Sequence, residues 1–247
     1  MSKWINRSLI QAPRNGTSSH TVNFTPATAN NFLVLVMEGA VTHTVPTGWT
    51  RRDNALNNTE LAVYTKTASA GESSFTTTHN GSDYPIAAVV YEFPAGSAWV
   101  SSVHGTNVNV TSPNPTLSGL TGTNLVFGAV AMSSSSAGVN PTGTAWSGVT
   151  GIVEDVDVVV PGAQTDGYLL SIAYVENYSS ASFAPTGAVS GTGLLTKEAL
   201  TFAVNVAAAA PTSVNLLRMG STTISSLRVG TSTPSSAYLG STQVWTP

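Results

Sequence analysis

Three glutamates lie in or beside apolar stretches of the sequence, where a partly buried carboxylate could act as an acid or a base. They are Glu38 in VLVMEG, Glu92 in VVYEFP and Glu176 in AYVENY. A pair of carboxylates on a concave sheet can cleave glycosidic bonds, and its separation decides between retaining and inverting chemistry. Each glutamate also lies near the end of a predicted strand, where a carboxylate can reach solvent. The sequence favours solvent-facing glutamates and keeps a jelly-roll glycosidase as an alternative.

The histidines show no spacing typical of a metal site. His20, His43, His79 and His104 lie in Thr- and Gly-rich contexts, and the chain has no cysteine that could supply a thiolate ligand. The sequence also lacks a Gly-x-Ser-x-Gly elbow, a His-Glu-x-x-His motif, a phosphate loop and a calcium loop. We therefore predict solvated or satisfied loop histidines, no bound metal, no cofactor and no enzymatic activity.

One acidic cluster, VEDVDV, contains Glu154, Asp155 and Asp157. Strand alternation predicts that Glu154 lies on the face opposite Asp155 and Asp157. Two carboxylates on one face could bind a cation. Like charges at a solvated strand edge also prevent edge-to-edge pairing, and the sequence favours this second interpretation.

Aromatic rings are the other candidate binding groups, since Trp and Tyr stack on sugars and are enriched at recognition surfaces. The candidates for glycan stacking are Trp99, Tyr84 and Tyr178. The alternative is that the aromatic rings fill the core. Trp49 and Trp146 favour core packing, because they occupy matched places in an internal repeat.

Low charge argues against several classes of partner. Only 9% of the residues are charged, and the formal net charge is −3. Nucleic-acid binding requires clustered Lys and Arg, which this chain lacks. The longest apolar runs, FLVLVM and IAAVVY, are far too short to span a membrane, and MSKWINRSLIQAPRNG contains no apolar signal region. We expect synthesis in the cytoplasm, no membrane insertion and no nucleic-acid partner.

The elements that position these residues are predicted to be β-strands. Few charged residues and abundant Ser, Thr, Gly and Pro make a poor composition for exposed helix faces. Short Val-, Thr-, Tyr- and Phe-rich runs between turn residues predict strands, and about eight of them fit an antiparallel, jelly-roll-like β-sandwich. The predicted strands are Asn31–Glu38, Glu60–Thr67, Ser74–His79, Ile86–Phe93, Asn124–Met132, Gly151–Val160, Tyr168–Glu176 and Ala199–Val206.

Five pairs of segments recur in the same order and indicate a weak internal repeat. NFLVLVM matches NLVFGAVAM, VPTGW matches NPTGTAW, ELAVYTK matches YLLSIAYV, SSFTTTHNG matches ASFAPTGAVSG, and PIAAVVYEF matches EALTFAVNV. The repeat predicts two halves of similar topology, with successive strands alternating between the two sheets of a jelly roll.

The domain organisation follows from a change in composition after Val206. Residues 1–206 are predicted to form the sandwich, and residues 1–20 are either an arm that reaches a partner or a first edge strand. The small-residue stretch at 207–213 is predicted to be a linker.

The C-terminal residues 214–247 are predicted to form a short β-meander. Gly220, Gly230 and Gly240 recur every ten residues, and each is followed by two hydroxyl residues suited to a turn. So small a meander cannot bury enough apolar surface to stand alone, so we expect it to dock on another surface. The predicted docking residues are Leu217, Met219, Leu227, Val229, Tyr238, Leu239 and Trp245.

The ending LRVGTSTPSSAYLGSTQVW, which closes with YLGSTQVW, resembles the C-terminal tag of many virion structural proteins of tailed bacteriophages. These are often minor tail proteins, particularly of phages that infect actinobacteria. VPTGWTRRDN, ELAVYTKTASAGESSFTT and AAVVYEFP are similar to the β-sandwich that precedes such tags. The resemblance implies a virion component on the tail or capsid, with no defined catalytic residues and a role in attachment or in reinforcing the shell.

We therefore expect a non-enzymatic minor tail protein on the particle exterior, which contacts other virion proteins and forms a homo-oligomer. Attachment to host-surface glycan is a further role that the aromatic residues suggest. A capsid decoration protein that stabilises the shell is one alternative. A carbohydrate-binding module or a jelly-roll glycosidase is another.

Overall fold

The chain forms strands throughout the part that the structure describes. The computed structural model describes residues 3–12, 17–39, 43–53, 61–78, 85–133, 140–161, 167–193, 196–208, 237–239 and 242–245. The strands are β1 (Asn6–Ala12), β2 (Ser19–Asn23), β3 (Phe32–Gly39), β4 (Thr50–Arg51), β5 (Leu61–Thr67), β6 (Ser74–Thr78), β7 (Ile86–Phe93), β8 (Ala98–Asn109), β9 (Leu117–Ser118), β10 (Asn124–Ser133), β11 (Asn140–Ser147), β12 (Val153–Pro161), β13 (Gly167–Tyr178), β14 (Ser182–Phe183), β15 (Thr186–Thr192), β16 (Thr196–Asn205), β17 (Ala237–Leu239) and β18 (Thr242–Trp245).

Ten of these strands form two five-stranded sheets that pack face to face. The first sheet has the order β1-β7-β3-β5-β4, and the second has the order β12-β13-β10-β16-β8. Every neighbouring pair within these sheets is antiparallel. The predicted all-β, antiparallel sandwich is therefore confirmed.

The two halves of the chain build the two sheets with the same strand order. In the repeat, β3 corresponds to β10, β5 to β13, and β7 to β16. Each matched strand holds the same place when the second sheet is written β8-β16-β10-β13-β12. The predicted similarity of the halves is thus confirmed, but the predicted alternation of successive strands between sheets is wrong. Each half pairs its own strands, which keeps the closing loops short.

The core lies between the sheets, and a second layer of packing covers both outer faces. Phe127 and Phe202 stack at the centre of the core, with ring centroids 4.6 Å apart. The β2–β6 pair covers the outside of the first sheet, and the β9–β14 and β11–β15 pairs cover the outside of the second. Strands β3, β7 and β10 are almost continuously apolar because both of their faces are buried.

The N-terminal residues settle one alternative that the sequence left open. Residues Asn6–Ala12 form an edge strand that pairs with β7 without a register shift. Just before it, Trp4 packs on Tyr91 and Tyr174 at the rim of the core, with ring centroids 5.0 and 5.2 Å away. The segment is therefore an edge strand of the first sheet.

The chain divides into two compact units, residues 1–207 and residues 208–247. In the second unit, β17 and β18 pair antiparallel, with Ala237 opposite Trp245 and Leu239 opposite Thr242. Among the described residues, no helix is long and apolar enough to cross a membrane.

Candidate functional site

A cluster of four charged side chains lies where strand β4 of the first sheet faces strand β8 of the second. We call Arg51, Asp53, His104 and Glu198 the seam cluster. Arg51 donates two hydrogen bonds to the carboxylate of Asp53, at 2.9 and 2.8 Å. The imidazole of His104 lies between two carboxylates, with Nδ1 3.6 Å from Asp53 Oδ2 and Nε2 3.3 Å from Glu198 Oε2.

Hydrogen bonds between side chains and the backbone connect the two sheets at and beside the seam cluster. Glu198, on β16, accepts a hydrogen bond of 2.8 Å from the backbone N–H of Leu61, at the start of β5. Ser102, on β8, donates to the backbone carbonyl of Arg52 at 2.7 Å. The seam cluster therefore joins the edge of the first sheet to the edge of the second.

Burial and charge define the state of the seam cluster. The side chains of Asp53 and His104 are 0% and 2% exposed. Burial alone would lower the pKa of His104, but the neighbouring Asp53 and Glu198 carboxylates raise it above its ordinary value. Burial would likewise raise the pKa of Asp53, but His104 and Arg51 lower it. With His104 protonated, two positive charges balance two negative charges.

This geometry indicates a structural role for the seam cluster, which joins the two sheets. In a catalytic triad one imidazole nitrogen faces a carboxylate and the other activates a nucleophile. In His104 both ring nitrogens face carboxylates. Sequence reasoning missed this role and placed His104 in a loop, because Asp53, His104 and Glu198 are brought together only by sheet packing. No local pattern in the sequence signals their contact.

A smaller charged group connects the two sheets on the opposite side of the sandwich. Arg7, on β1, pairs with Asp155, on β12, at 2.8 Å, and the hydroxyl of Tyr91 donates to the same carboxylate at 2.8 Å. Asp157 instead accepts a hydrogen bond of 3.0 Å from the backbone N–H of Thr144.

The predicted arrangement of the acidic cluster is therefore wrong. A register irregularity between Glu154 and Val156 shows a β-bulge at Asp155, which breaks the alternation. Asp155 consequently reaches the first sheet, while Asp157 contacts β11. β12 ends the second sheet, so these acids do lie on an edge strand. The expected pair of solvated like charges is wrong for Asp155, whose side chain is 8% exposed and pairs with Arg7, whereas Asp157 is exposed.

The three glutamates do not lie together. Glu38 is opposite Ala87 and Leu33 is opposite Glu92, so the two glutamates are five positions apart along β7. This spacing is about 17 Å, beyond the separation of about 5–9.5 Å found between glycosidase carboxylates. Glu176 is exposed on β13 of the second sheet.

Glu92 is a structural carboxylate in the interior. It is 3% exposed and accepts hydrogen bonds from Asn6 Nδ2 at 2.9 Å, Thr28 N at 2.8 Å and Asn31 Nδ2 at 2.6 Å. Burial favours the protonated acid, but these donors lower the pKa of Glu92. Glu92 thus holds β1 and the segment before β3 against β7. The expectation of solvent-facing glutamates is wrong for Glu38 and Glu92, at 0% and 3% exposure, and is confirmed for Glu176.

Other titratable groups are also buried rather than solvated. His20 is 2% exposed and His43 is 6% exposed, and His43 packs so closely on Gly39 that a Cβ there would come within 1.8 Å of its Nε2 atom. Lys197 is 2% exposed and donates to the carbonyls of Ser112 and Gly187, and burial lowers its pKa to about 8. His79 lies outside the described residues. Among the described residues, no group of three or more His, Asp and Glu could hold a metal ion.

The aromatic residues predicted to stack on glycan do not form one platform. Trp99 is half-buried and stacks on Phe202 of the inter-sheet core, with ring centroids 5.4 Å apart. Tyr178 packs edge-on against Phe183 in the outer layer, at 5.1 Å. These two rings therefore belong to opposite faces of the second sheet, and Tyr84 lies outside the described residues. Trp49, at 6% exposure, fills the outer layer of the first sheet, as the sequence favoured.

A small cleft opens at one end of the sandwich. Its volume is about 170 Å³, below the range of about 300–1,000 Å³ typical of ligand pockets. The Lys3 ammonium lies 4.4 Å from the ring centroid of Trp4 and 4.3 Å from that of Tyr174. The cleft is lined by Lys3, Thr123, Asn124, Leu125, Glu176, Asn177, Asn205 and Val206.

The predicted docking segment is described only in part. Tyr238 and Leu239 lie in β17, and Trp245 ends β18, so the backbone of these residues is in a paired hairpin. Leu217, Met219, Leu227 and Val229 lie outside the described residues. Their role in docking stays a prediction.

No family model, curated protein or solved structure matches this chain.

Proposed function

We propose that the protein is a non-enzymatic structural component of a tailed-bacteriophage virion, displayed on the particle exterior as a minor tail protein. Residues 1–207 supply a rigid sandwich, and the C-terminal segment docks it on a neighbouring virion protein. The resemblance of YLGSTQVW and its upstream glycine repeat to phage tags motivates this assignment.

The observation that carries the proposal is the inward use of charge. Most of the charged side chains described in the sandwich are buried or pair with one another, whereas Glu154, Asp157 and Glu176 are exposed. The outward surface therefore presents few charges. Side-by-side contacts between such surfaces desolvate few charges. The internal contacts are Arg7 with Asp155, Arg51 with Asp53, Lys66 with Glu72, His104 with Glu198, and the buried Glu92 and Lys197 with their hydrogen-bond partners.

The C-terminal hairpin supports the docking role. A two-stranded ribbon is marginal in water by itself, so β17 and β18 require a further surface to be stable. Among the candidate partners, another virion protein agrees with the resemblance. A capsid decoration protein that stabilises the shell would use the same features, so the position on the particle is the point to test.

The experiment compares incorporation of the full chain and a chain truncated after Ala210 into particles of the phage that encodes it. Purified particles are digested and analysed by mass spectrometry, and circular dichroism checks that the truncated chain keeps its β-structure. We expect sandwich peptides in particles made with the full chain and their loss after truncation. Absence of the full chain from purified particles would contradict the proposal.

A further inference from the structure

The four lateral edges of the sandwich differ in how they resist pairing with another strand. Proteins protect sheet edges with short strands, β-bulges, charges or proline. Strand β4 has only two residues. Strand β8 carries two register irregularities in its pairing with β16. Strand β12 carries the bulge at Asp155 and the acidic residues Glu154 and Asp157.

Strand β1 is the least protected of the four edges. It runs for seven residues, NRSLIQA, in unbroken register with β7 and contains no proline. Its one charged side chain, Arg7, is held by Asp155 on the facing sheet. Within the part of the chain that the structure describes, no strand pairs with the outer side of β1.

Exposed apolar side chains are concentrated beside this edge. Ile5 is 47% exposed, Leu9 is 40% exposed, and Val153 on the adjacent β12 is 48% exposed. An open groove of about 420 Å³ runs along the strand, between Arg7–Leu9 and Asn23–Thr25. Unpaired backbone groups beside apolar side chains are the features that an added β-strand recognises.

We propose that β1 is the strand through which two copies of this chain associate, by antiparallel pairing about a two-fold axis at Leu9. This inference rests on the proposed structural role, in which copies of the chain contact one another. Leu9 is the midpoint of Asn6–Ala12, so an axis there lets all seven residues pair. Two five-stranded sheets become one ten-stranded sheet.

The sequence of β1 is self-complementary in this register. Leu9 lies opposite Leu9 of the second copy, and Arg7 lies opposite Gln11, so the one charged residue never faces itself. An axis at Arg7 would instead oppose like charges, which destabilises a sheet. The closed two-fold contact uses the same surface on both copies and leaves no further β1 edge open.

Single-cysteine variants test the register, because the chain contains no native cysteine. Directly opposed residues have Cβ atoms about 4.5–5.5 Å apart, close to disulfide geometry. Leu9→Cys should therefore give covalent dimers of the full chain under mild oxidation. Gln11→Cys is the matched control on the same face of β1. Its two copies would lie about 14 Å apart, so it should remain monomeric in non-reducing gels.

Light scattering tests the association itself. The full chain of 25.3 kDa should give a dimer mass. Leu9→Lys should raise the dissociation constant by at least about tenfold, because it places like charges opposite each other and removes an apolar contact. Val100→Lys, on the bulged β8 edge at 38% exposure, is the matched control and should leave the mass unchanged.

Three results would overturn the inference: a monomer at all accessible concentrations, a dimer that Leu9→Lys leaves intact, or covalent dimers from Gln11→Cys but not from Leu9→Cys. Each of these leaves the proposed function standing if the chain is still found in particles. Conversely, a Leu9-dependent dimer that is absent from particles would refute the virion role and keep this interface.

Discussion

Replacing His104 by glutamine should destabilise the sandwich most at acidic pH, because the imidazole joins the two sheets while it is protonated. His104 lies 3.6 Å from Asp53 and 3.3 Å from Glu198, and its side chain is 2% exposed. Solvent therefore screens these contacts little. Glutamine keeps hydrogen-bonding capacity and volume but carries no charge.

The structure sets the size of the effect. Removing one partner of a buried ion pair costs about 3–5 kcal/mol. Asp53 keeps its two hydrogen bonds from Arg51, so the carboxylate left without a cation is chiefly Glu198. Glu198 is 12% exposed and keeps the Leu61 N–H. We therefore expect the lower end of the range, about 3 kcal/mol near pH 5.5.

The pH dependence has a definite sign. The pKa of His104 is raised in the folded protein, because the two carboxylates outweigh the opposing effect of burial. Its stabilising contribution is thus fully present below the ordinary histidine pKa of about 6.5 and is lost as the pH rises through the folded value. The difference between wild type and His104→Gln should shrink accordingly at alkaline pH.

Urea unfolding of both proteins near pH 5.5 and at alkaline pH measures this difference. Contributions from groups other than His104 are common to both proteins and largely cancel. Glu154→Gln, at an exposed position on β12, is a control that should change the unfolding free energy by less than about 0.5 kcal/mol. The reasoning is refuted if His104→Gln costs the same at both pH values, or less than about 1 kcal/mol near pH 5.5.

Three further substitutions test other parts of the interior. Glu92→Gln should cost about 1.5–3 kcal/mol, because three donors lose a charged acceptor. The wild type should lose the stabilisation that the lowered pKa of Glu92 provides as the pH falls below about 4.3, and Glu92→Gln should not show this loss. Urea unfolding measured over a series of acidic pH values tests this difference. In the wild type, the free energy of unfolding should rise between about pH 8, the folded pKa of Lys197, and about pH 10.4, the ordinary lysine pKa. Lys197→Met should abolish this rise. An unchanged dependence of stability on alkaline pH would contradict the prediction. Gly128→Ala should cost about 1–3 kcal/mol in thermal unfolding, since the new Cβ would lie 2.7 Å from Trp146 Cζ3 and 2.8 Å from Pro185 Cγ; an unchanged melting temperature would show that the outer layer is loose.

Strands buried on both faces were the part of the fold that sequence could predict. The predicted Ile86–Phe93 matches β7, and Asn124–Met132 differs from β10 by one residue. Each is a short, continuous apolar run bounded by turn residues, which is the pattern of a buried strand. The internal repeat also predicted that the two halves have similar topology, but not that each half builds its own sheet.

Among the edge strands, β12 corresponds to the predicted Gly151–Val160 and β1 was one of two alternatives, but β4 and β8 were not predicted. Strand β8 reads AWVSSVHGTNVN, where bulges disrupt alternation and Ser, His and Asn dilute the apolar signal. The bulge at Asp155 likewise reversed the expected facing of an acidic residue. None of these bulges can be recognised from residue type alone.

The charged contacts between sheets were beyond sequence reasoning for a different reason. Asp53 and His104 come from different halves of the chain, and their contact depends on how the two finished sheets face each other. Packing of whole sheets, rather than any local pattern, brings His104 into the interior.

Immunogold electron microscopy of intact phage particles, with an antibody against the sandwich, tests the proposed virion role most directly. Our account predicts gold on the tails of intact particles, and label on the capsid shell would support the decoration alternative. Label found only in the unassembled fraction, with bare particles, would contradict a structural role on the virion.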